Sequence, residues 1–138
     1  MHHAILDTNV YVNLWEGALS ENALIPLCSR FIIRQSSVVL SELRRGARTG
    51  EAQRLVSDLR RLATVQWTPT DEDWWLAGGL VQKIGDAQAW DRRKRQEFQN
   101  DALIALTASR YGAAVVTANR SDFDLLSKEI RLVVLSLD

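Results

Sequence analysis

The sequence predicts an α/β protein of three layers, α/β/α, with a central parallel sheet of five strands. Three observations lead there. Short apolar runs alternate with longer segments of helical periodicity along the whole 138-residue chain. The first run, Ala4-Ile5-Leu6, passes directly into Asp7-Thr8-Asn9, which sets a carboxylate, a hydroxyl and an amide at a strand's carboxyl end. In open α/β sheets that edge is where ligands bind. The composition, 46% hydrophobic and 25% charged, is that of a folded chain, and the length suits one domain, 1–138, with its own core.

After the first strand, Val10 to Trp15 reads as a short helix that Gly17 stops; Thr8 or Asn9 can cap it. Ser20-Glu21-Asn22 opens a second short helix through Leu27, and Phe31-Ile32-Ile33 forms a second buried strand. Ser36 or Ser37 caps a helix from Val38 to about Arg48. Glu51 to Leu62 is amphipathic, with Leu55, Leu59 and Leu62 on one face and Arg54, Asp58 and Arg61 on the other. Thr64 to Trp67 alternates as a third strand, ended by Pro69. Asp71 to about Ala89 is helical, and Gly78-Gly79 inside it implies close backbone packing or a local break. Asp91-Arg92-Arg93-Lys94-Arg95 is the most polar segment and reads as a loop or helix junction. Helix resumes from Asn100 to Tyr111; Ala113 to Thr117 is a fourth strand, Ser121 to Lys128 a short helix, and Leu132 to Leu135 a fifth strand. Trp15, Trp67, Trp74, Trp75 and Trp90 fall at packing positions and read as core or subunit-interface anchors. Trp74 and Trp75 point about 100° apart on one helix, so one serves the core and the other a partner chain.

The charges balance, with 17 Lys plus Arg against 17 Asp plus Glu, so no global basic field draws in nucleic acid. Only Lys83, Lys94 and Lys128 are lysines; the remaining cations are arginines, which suit bidentate phosphate contacts. Cys28 is alone, which excludes an internal disulfide or a cysteine zinc site and fits a reducing cytoplasm. His2 and His3 interrupt any signal-like apolar run, and no apolar stretch approaches the ~18 residues of a membrane helix.

Four acids stand in unusually apolar or small-residue settings: Asp7, Glu42, Asp101 and Asp122. Asp7 and the Thr117 to Asp122 loop both follow strands and so share one edge of a parallel sheet, over which a helix after strand two can bring Glu42. Crowded carboxylates resist ionising unless a cation neutralises them. Oxygen-only ligands favour Mg²⁺ or Mn²⁺, and one or two such ions can activate water and clamp a phosphodiester. Each acid also has a bland role open to it. Asp7 and Asp122 could cap the helices that follow, Asp101 could cap after Asn100, and Glu42 could pair with Arg45.

Ile5-Leu6-Asp7-Thr8-Asn9, Ser41 to Gly46, Asn100 to Ala105 and Thr117 to Phe123 together resemble, in order, the four motifs of PIN-domain ribonucleases, and more narrowly of VapC-type toxins of type II toxin–antitoxin pairs. The resemblance implies a PIN-like fold with Asp7, Glu42, Asp101 and Asp122 as catalytic metal ligands. Thr8, Asn9 and Thr117 would support them, and Asn119 is either a fourth-motif ligand or a supporting amide. It further implies Mg²⁺- or Mn²⁺-dependent endoribonuclease activity, a cytoplasmic homodimer and a cognate antitoxin that blocks the site. RNA would be held by Arg44 and Arg45 beside Glu42, by Arg92, Arg93 and Arg95, and by Arg120 at the rim.

Two other readings exist. A degenerate PIN-like module would bind RNA or a partner without cutting, against which the presence of all four acids counts. An aspartate-dependent phosphatase wants a second acid two residues after the first, and position 9 is Asn; a receiver-like domain needs adjacent acids before the first motif and a lysine after a late strand, for which Arg120 and Lys128 match poorly.

Overall fold

The computed structural model describes residues 2–137. In chain order the elements are β1 (His2–Leu6), α1 (Thr8–Trp15), α2 (Ile25–Arg30), β2 (Phe31–Ser36), α3 (Ser37–Gly46), α4 (Gly50–Leu62), β3 (Gln66–Trp67), α5 (Asp71–Gln88), α6 (Arg92–Arg110), β4 (Ala114–Thr117), α7 (Arg120–Ser127) and β5 (Val133–Ser136). The strands make one parallel sheet in the order β3-β2-β1-β4-β5. The chain starts at the middle strand, builds outward to β3, then crosses back to build outward through β4 to β5. Crossovers between parallel strands are right-handed, so building in opposite directions puts helices on both faces, which is the three-layer arrangement expected.

The register positions the site. Leu6 lies opposite Val116, and the Asp7 amide continues the ladder by donating to the Val116 carbonyl at 2.8 Å. Asp7 and Thr117 thus leave adjacent strands side by side, where the strand order reverses. β1 and β4 are buried on both faces, as their branched apolar runs require. The core continues through Val10, Val39, Phe98, Phe123 and Leu126, and through α6, which is buried from Ala102 to Ala108 without interruption.

Local chemistry sets the helix ends. Asp7, and neither Thr8 nor Asn9, caps α1, because its side chain accepts from the Thr8 amide. Ser36 caps α3 by accepting from Val39, and that helix ends at Gly46, short of Arg48. Thr70 and Asp73 form a reciprocal capping box at α5. The expected helix from Ser20 to Leu27 is a 3₁₀ turn over Glu21–Ala23 followed by α2, which has Pro26 in its first turn and reaches Arg30.

Several expectations are corrected. The polar run 91–95 is helical from Arg92, because Asp91 caps α6 by accepting from the Lys94 amide and Arg and Lys are good helix formers. Gly78-Gly79 marks neither a break nor a close approach: α5 runs through it, and a Cβ at either residue would meet nothing within 4 Å. The close approach is at Gly85, where the Arg95 guanidinium lies 3.0 Å from the position of a Cβ. Strand three is only Gln66–Trp67. On α4 the fully buried residue is Val56, while Leu62 is 77% exposed.

The tryptophans divide. Trp67 is buried, stacks on Tyr111 with centroids 4.0 Å apart and receives the His3 ring edge at 5.5 Å, so His3 belongs to the sheet's packing. Trp90 sets its ring against Phe98. Neither Trp74 nor Trp75 serves the core: both are exposed, Trp75 by 79%, because α5 packs inward through Asp73, Ala77 and Ile84 instead.

Candidate active site

Each acidic side chain reaches the carboxyl edge of the sheet by a different route. Asp7 is delivered by β1 and is only 6% exposed. One of its oxygens caps α1, accepting from the Thr8 amide at 2.8 Å; the other accepts from the Thr117 hydroxyl at 3.0 Å. Asp7 is therefore both a helix cap and a site residue. Glu42 comes from the middle of α3, where Leu40 and Leu43 bury the inner face. Its Oε1 accepts from the Thr8 hydroxyl at 2.8 Å, and no ion pair with Arg45 forms among the described residues. Asp101 sits mid-way along α6, one residue before the buried stretch, and is no cap.

Amides and hydroxyls lock this edge together. Asn9 Oδ1 accepts from the Ala118 amide at 3.1 Å, and its Nδ2 approaches Thr117 Oγ1 at 3.4 Å. Thr117 Oγ1 also accepts from the Asn119 amide at 3.0 Å. Asn119 Oδ1 accepts from the Ser121 hydroxyl. Residues 7–9 are thereby tied to residues 117–119.

The result is an open cleft of about 300 Å³ lined by Asp7, Thr8, Asn9, Val12, Glu42, Asp101, Asn119 and Phe123. Asp122 is buried in the first turn of α7 and does not line it. Its carboxylate instead pairs with Lys94 at 2.6 Å. Of the four predicted acids, Asp7, Glu42 and Asp101 line the cleft, while Asp122 does not line it but acts on both Asp7 and Asp101 through charge.

Burial pushes the Asp7 carboxyl up to about 6; the Thr8 amide and Thr117 hydroxyl pull it down, and the charges of Glu42 and Asp122 push it further up. Asp101 is raised well above the usual carboxylate range, first by burial, then by Asp7, Asp122 and Glu42, with Lys94 opposing. Among the described residues Lys94 is the cation acting on this set, and it is already paired with Asp122. The donors of the set are all oxygen, which suits a hard divalent cation such as Mg²⁺ or Mn²⁺ and not zinc. Among the described residues, no three Asp, Glu, His or Cys side chains already close on a common point. The cleft fits an ion that keeps part of its water shell, as Mg²⁺ does, better than a preformed cage.

The predicted cations behave unequally. Arg95 pairs with Asp86 at 2.8 Å and donates to the Trp90 carbonyl; Arg93 pairs with Glu97, and Arg120 with Asp124. Arg44, Arg45 and Arg92 are exposed and form no ion pair among the described residues. The Lys94–Asp122 pair escapes any reading of the sequence that takes 91–95 as a loop. As helix, the run places Lys94 two turns before Asp101 on the same face. The bridging role of Asn9 across to Ala118 carries no sequence signal beyond its place after Asp7.

The PIN domain family matches residues 4–129 of the chain. No curated protein matches it. Solved structures with the same fold include VapBC2 from Rickettsia felis bound to a DNA fragment from its promoter, 24% identical, with a TM-score of 0.68 over 98% of both chains. VapBC-1 from nontypeable Haemophilus influenzae is 20% identical, with a TM-score of 0.69 over 96% of both chains. VapBC-5 from Mycobacterium tuberculosis is 21% identical, with a TM-score of 0.61 over 99% of this chain and 100% of that one.

Proposed function

The chain belongs to the PIN-domain family, and from that premise we propose that it is a divalent-metal-dependent endoribonuclease, the toxin of a type II toxin–antitoxin pair, held inactive by a cognate antitoxin. The observation that carries this reading is the convergence of Asp7, Glu42 and Asp101 on one cleft at the point where the strand order reverses. Three carboxylates from three separate elements have no packing reason to meet there. The likeness to chains solved in VapBC complexes supports the partner.

Asp7, Glu42 and Asp101 would hold Mg²⁺ or Mn²⁺, with Asn119 at the rim. When bound, the ion supplies a water nucleophile at neutral pH and a positive clamp on the scissile phosphate. The protein's own contribution is orientation. The Thr8 and Thr117 hydroxyls each donate to a carboxylate oxygen, fixing which lone pairs face the cleft, and Asn9 holds the two loops at one spacing. Arg44, Arg45 and Arg92 are the cations without an ion pair that would meet the RNA backbone. No helix among the described residues is long and apolar enough to cross a membrane. A cytoplasmic homodimer is part of the same proposal and rests on the family likeness.

Against the phosphatase alternative, the position where its second acid is needed is occupied by Asn9, whose amide is engaged with Ala118 and Thr117. The test is incubation of the antitoxin-free protein with total RNA in Mn²⁺ or in EDTA. Cleavage is expected in Mn²⁺ only, and Asp101→Asn should abolish it while leaving the fold intact. Cleavage that persists in EDTA, or at wild-type rate in the variant, would overturn the reading.

A further inference from the structure

Lys94 pairs with Asp122, the acid that does not line the cleft, whereas Lys83 pairs with Glu129. Lys94 Nζ is 2.6 Å from Asp122 Oδ2, and that carboxylate is largely shielded from solvent. The ammonium also lies 5.0 Å over the ring of Trp90, whose position is set by its contact with Phe98 in the core. The ammonium is thus anchored on two sides, by the carboxylate and by the ring, with about a third of the side chain (33%) left exposed. Seven residues separate Lys94 from Asp101, so both project from one face of α6. Its charge acts on Asp101 as well as on Asp122.

Asp122, in turn, is absent from the lining of the cleft that Asp7, Glu42 and Asp101 share. The four acids therefore separate into three that face open space and one already neutralised. A second divalent ion at Asp122 would have to displace Lys94 from its 2.6 Å ion pair or bind beside it against direct repulsion.

We propose that Lys94 is a tethered second cation of the site, so that this chain binds a single divalent ion, at the Asp7–Glu42–Asp101 end. Lys94 is in this sense a positioning residue that sets metal stoichiometry. The inference rests on the metal-site reading above, and the test separates the two.

The measurement is Mn²⁺ binding to the full chain without RNA, followed by the decrease of the free-ion electron paramagnetic resonance signal. Wild type should bind one ion. Lys94→Met keeps the length and the helix propensity but removes the charge, and should bind two. Lys94→Arg retains a charge and should bind one. Lys94→Gln serves in place of Lys94→Met if the latter proves unfolded by circular dichroism. Two ions on wild type, or one ion on both wild type and the charge-removing variant, would overturn the inference and leave the metal site standing. No Mn²⁺ bound by wild type would overturn both.

Discussion

Asp7 does two jobs that a sequence cannot separate. A carboxylate after a strand and before a helix is what a cap needs and also what a metal site would need; here one oxygen accepts from the Thr8 amide and the other from the Thr117 hydroxyl at the cleft edge. Its raised pKa makes the combination measurable. The folded chain keeps the Asp7 proton up to about 6, the unfolded chain only to 3.8, so folding binds a proton in that window. Stability linked to Asp7 is complete at lower pH and is lost as pH rises through the window, by up to about 3 kcal/mol at ~1.4 kcal/mol per unit. Asp7→Asn keeps the cap, since asparagine is as good an N-cap, and removes the charge. In EDTA the variant should melt above wild type by a margin that widens from about pH 4 to about pH 7, and saturating Mn²⁺ should raise wild type and close the gap. A margin indifferent to both pH and Mn²⁺ would remove Asp7 from the site. Thr8 is recognisable from its neighbours as a supporting residue, but its bond to Glu42 joins residues 34 apart and needs the three-dimensional structure.

At the scale of elements, α6 is the least legible part of the chain and matters most to the site. Its second half is apolar enough to announce a buried helix. Its first half carries charges with no apolar period, and only the cap at Asp91 reveals where the helix begins. The arginines there accordingly split into two kinds. Arg95 is structural, its guanidinium packed on Gly85 and bonded to Asp86 and the Trp90 carbonyl. Arg92 and Arg93 lie on the exposed side. Replacing Arg92 and Arg93 by Ala should weaken RNA binding and flatten its salt dependence by roughly 0.7 log units for each phosphate no longer neutralised, without moving the cleavage position. Arg95→Ala should leave the salt slope alone and lower stability by about 1 kcal/mol, the range of a partly exposed pair plus one hydrogen bond. Salt titrations in Ca²⁺, chosen to support binding without cutting, and thermal melts of both variants decide it; equal slopes for wild type and the double variant would transfer the role to Arg44 and Arg45.

At the scale of the molecule, five strands and their parallel sense follow from the alternation of apolar runs and helices. The strand order does not, because nothing in a short buried run such as Ala113 to Thr117 says which neighbour it takes. Among the exposed apolar side chains, Trp74, Trp75 and Leu76 are sequence neighbours on α5. Adjacent exposed aromatics of this kind mark association surfaces. Light scattering should find a dimer, and Trp75→Glu should shift it toward monomer without changing the circular dichroism; a wild-type monomer at high concentration would refute the association. The strand order also has a consequence in time. Asp7 meets Thr117 across 110 residues of chain, because β4 is inserted beside β1 after both outer strands on the other side are complete. During synthesis at about 5–20 residues per second, roughly 5–20 s pass between the making of one half of that contact and the other. Until then the emerging chain can form the Thr8 bonds to Asp7 and Glu42 but lacks the Thr117 hydroxyl that fixes the second Asp7 oxygen, so the acidic edge is completed only when the second half of the sheet docks.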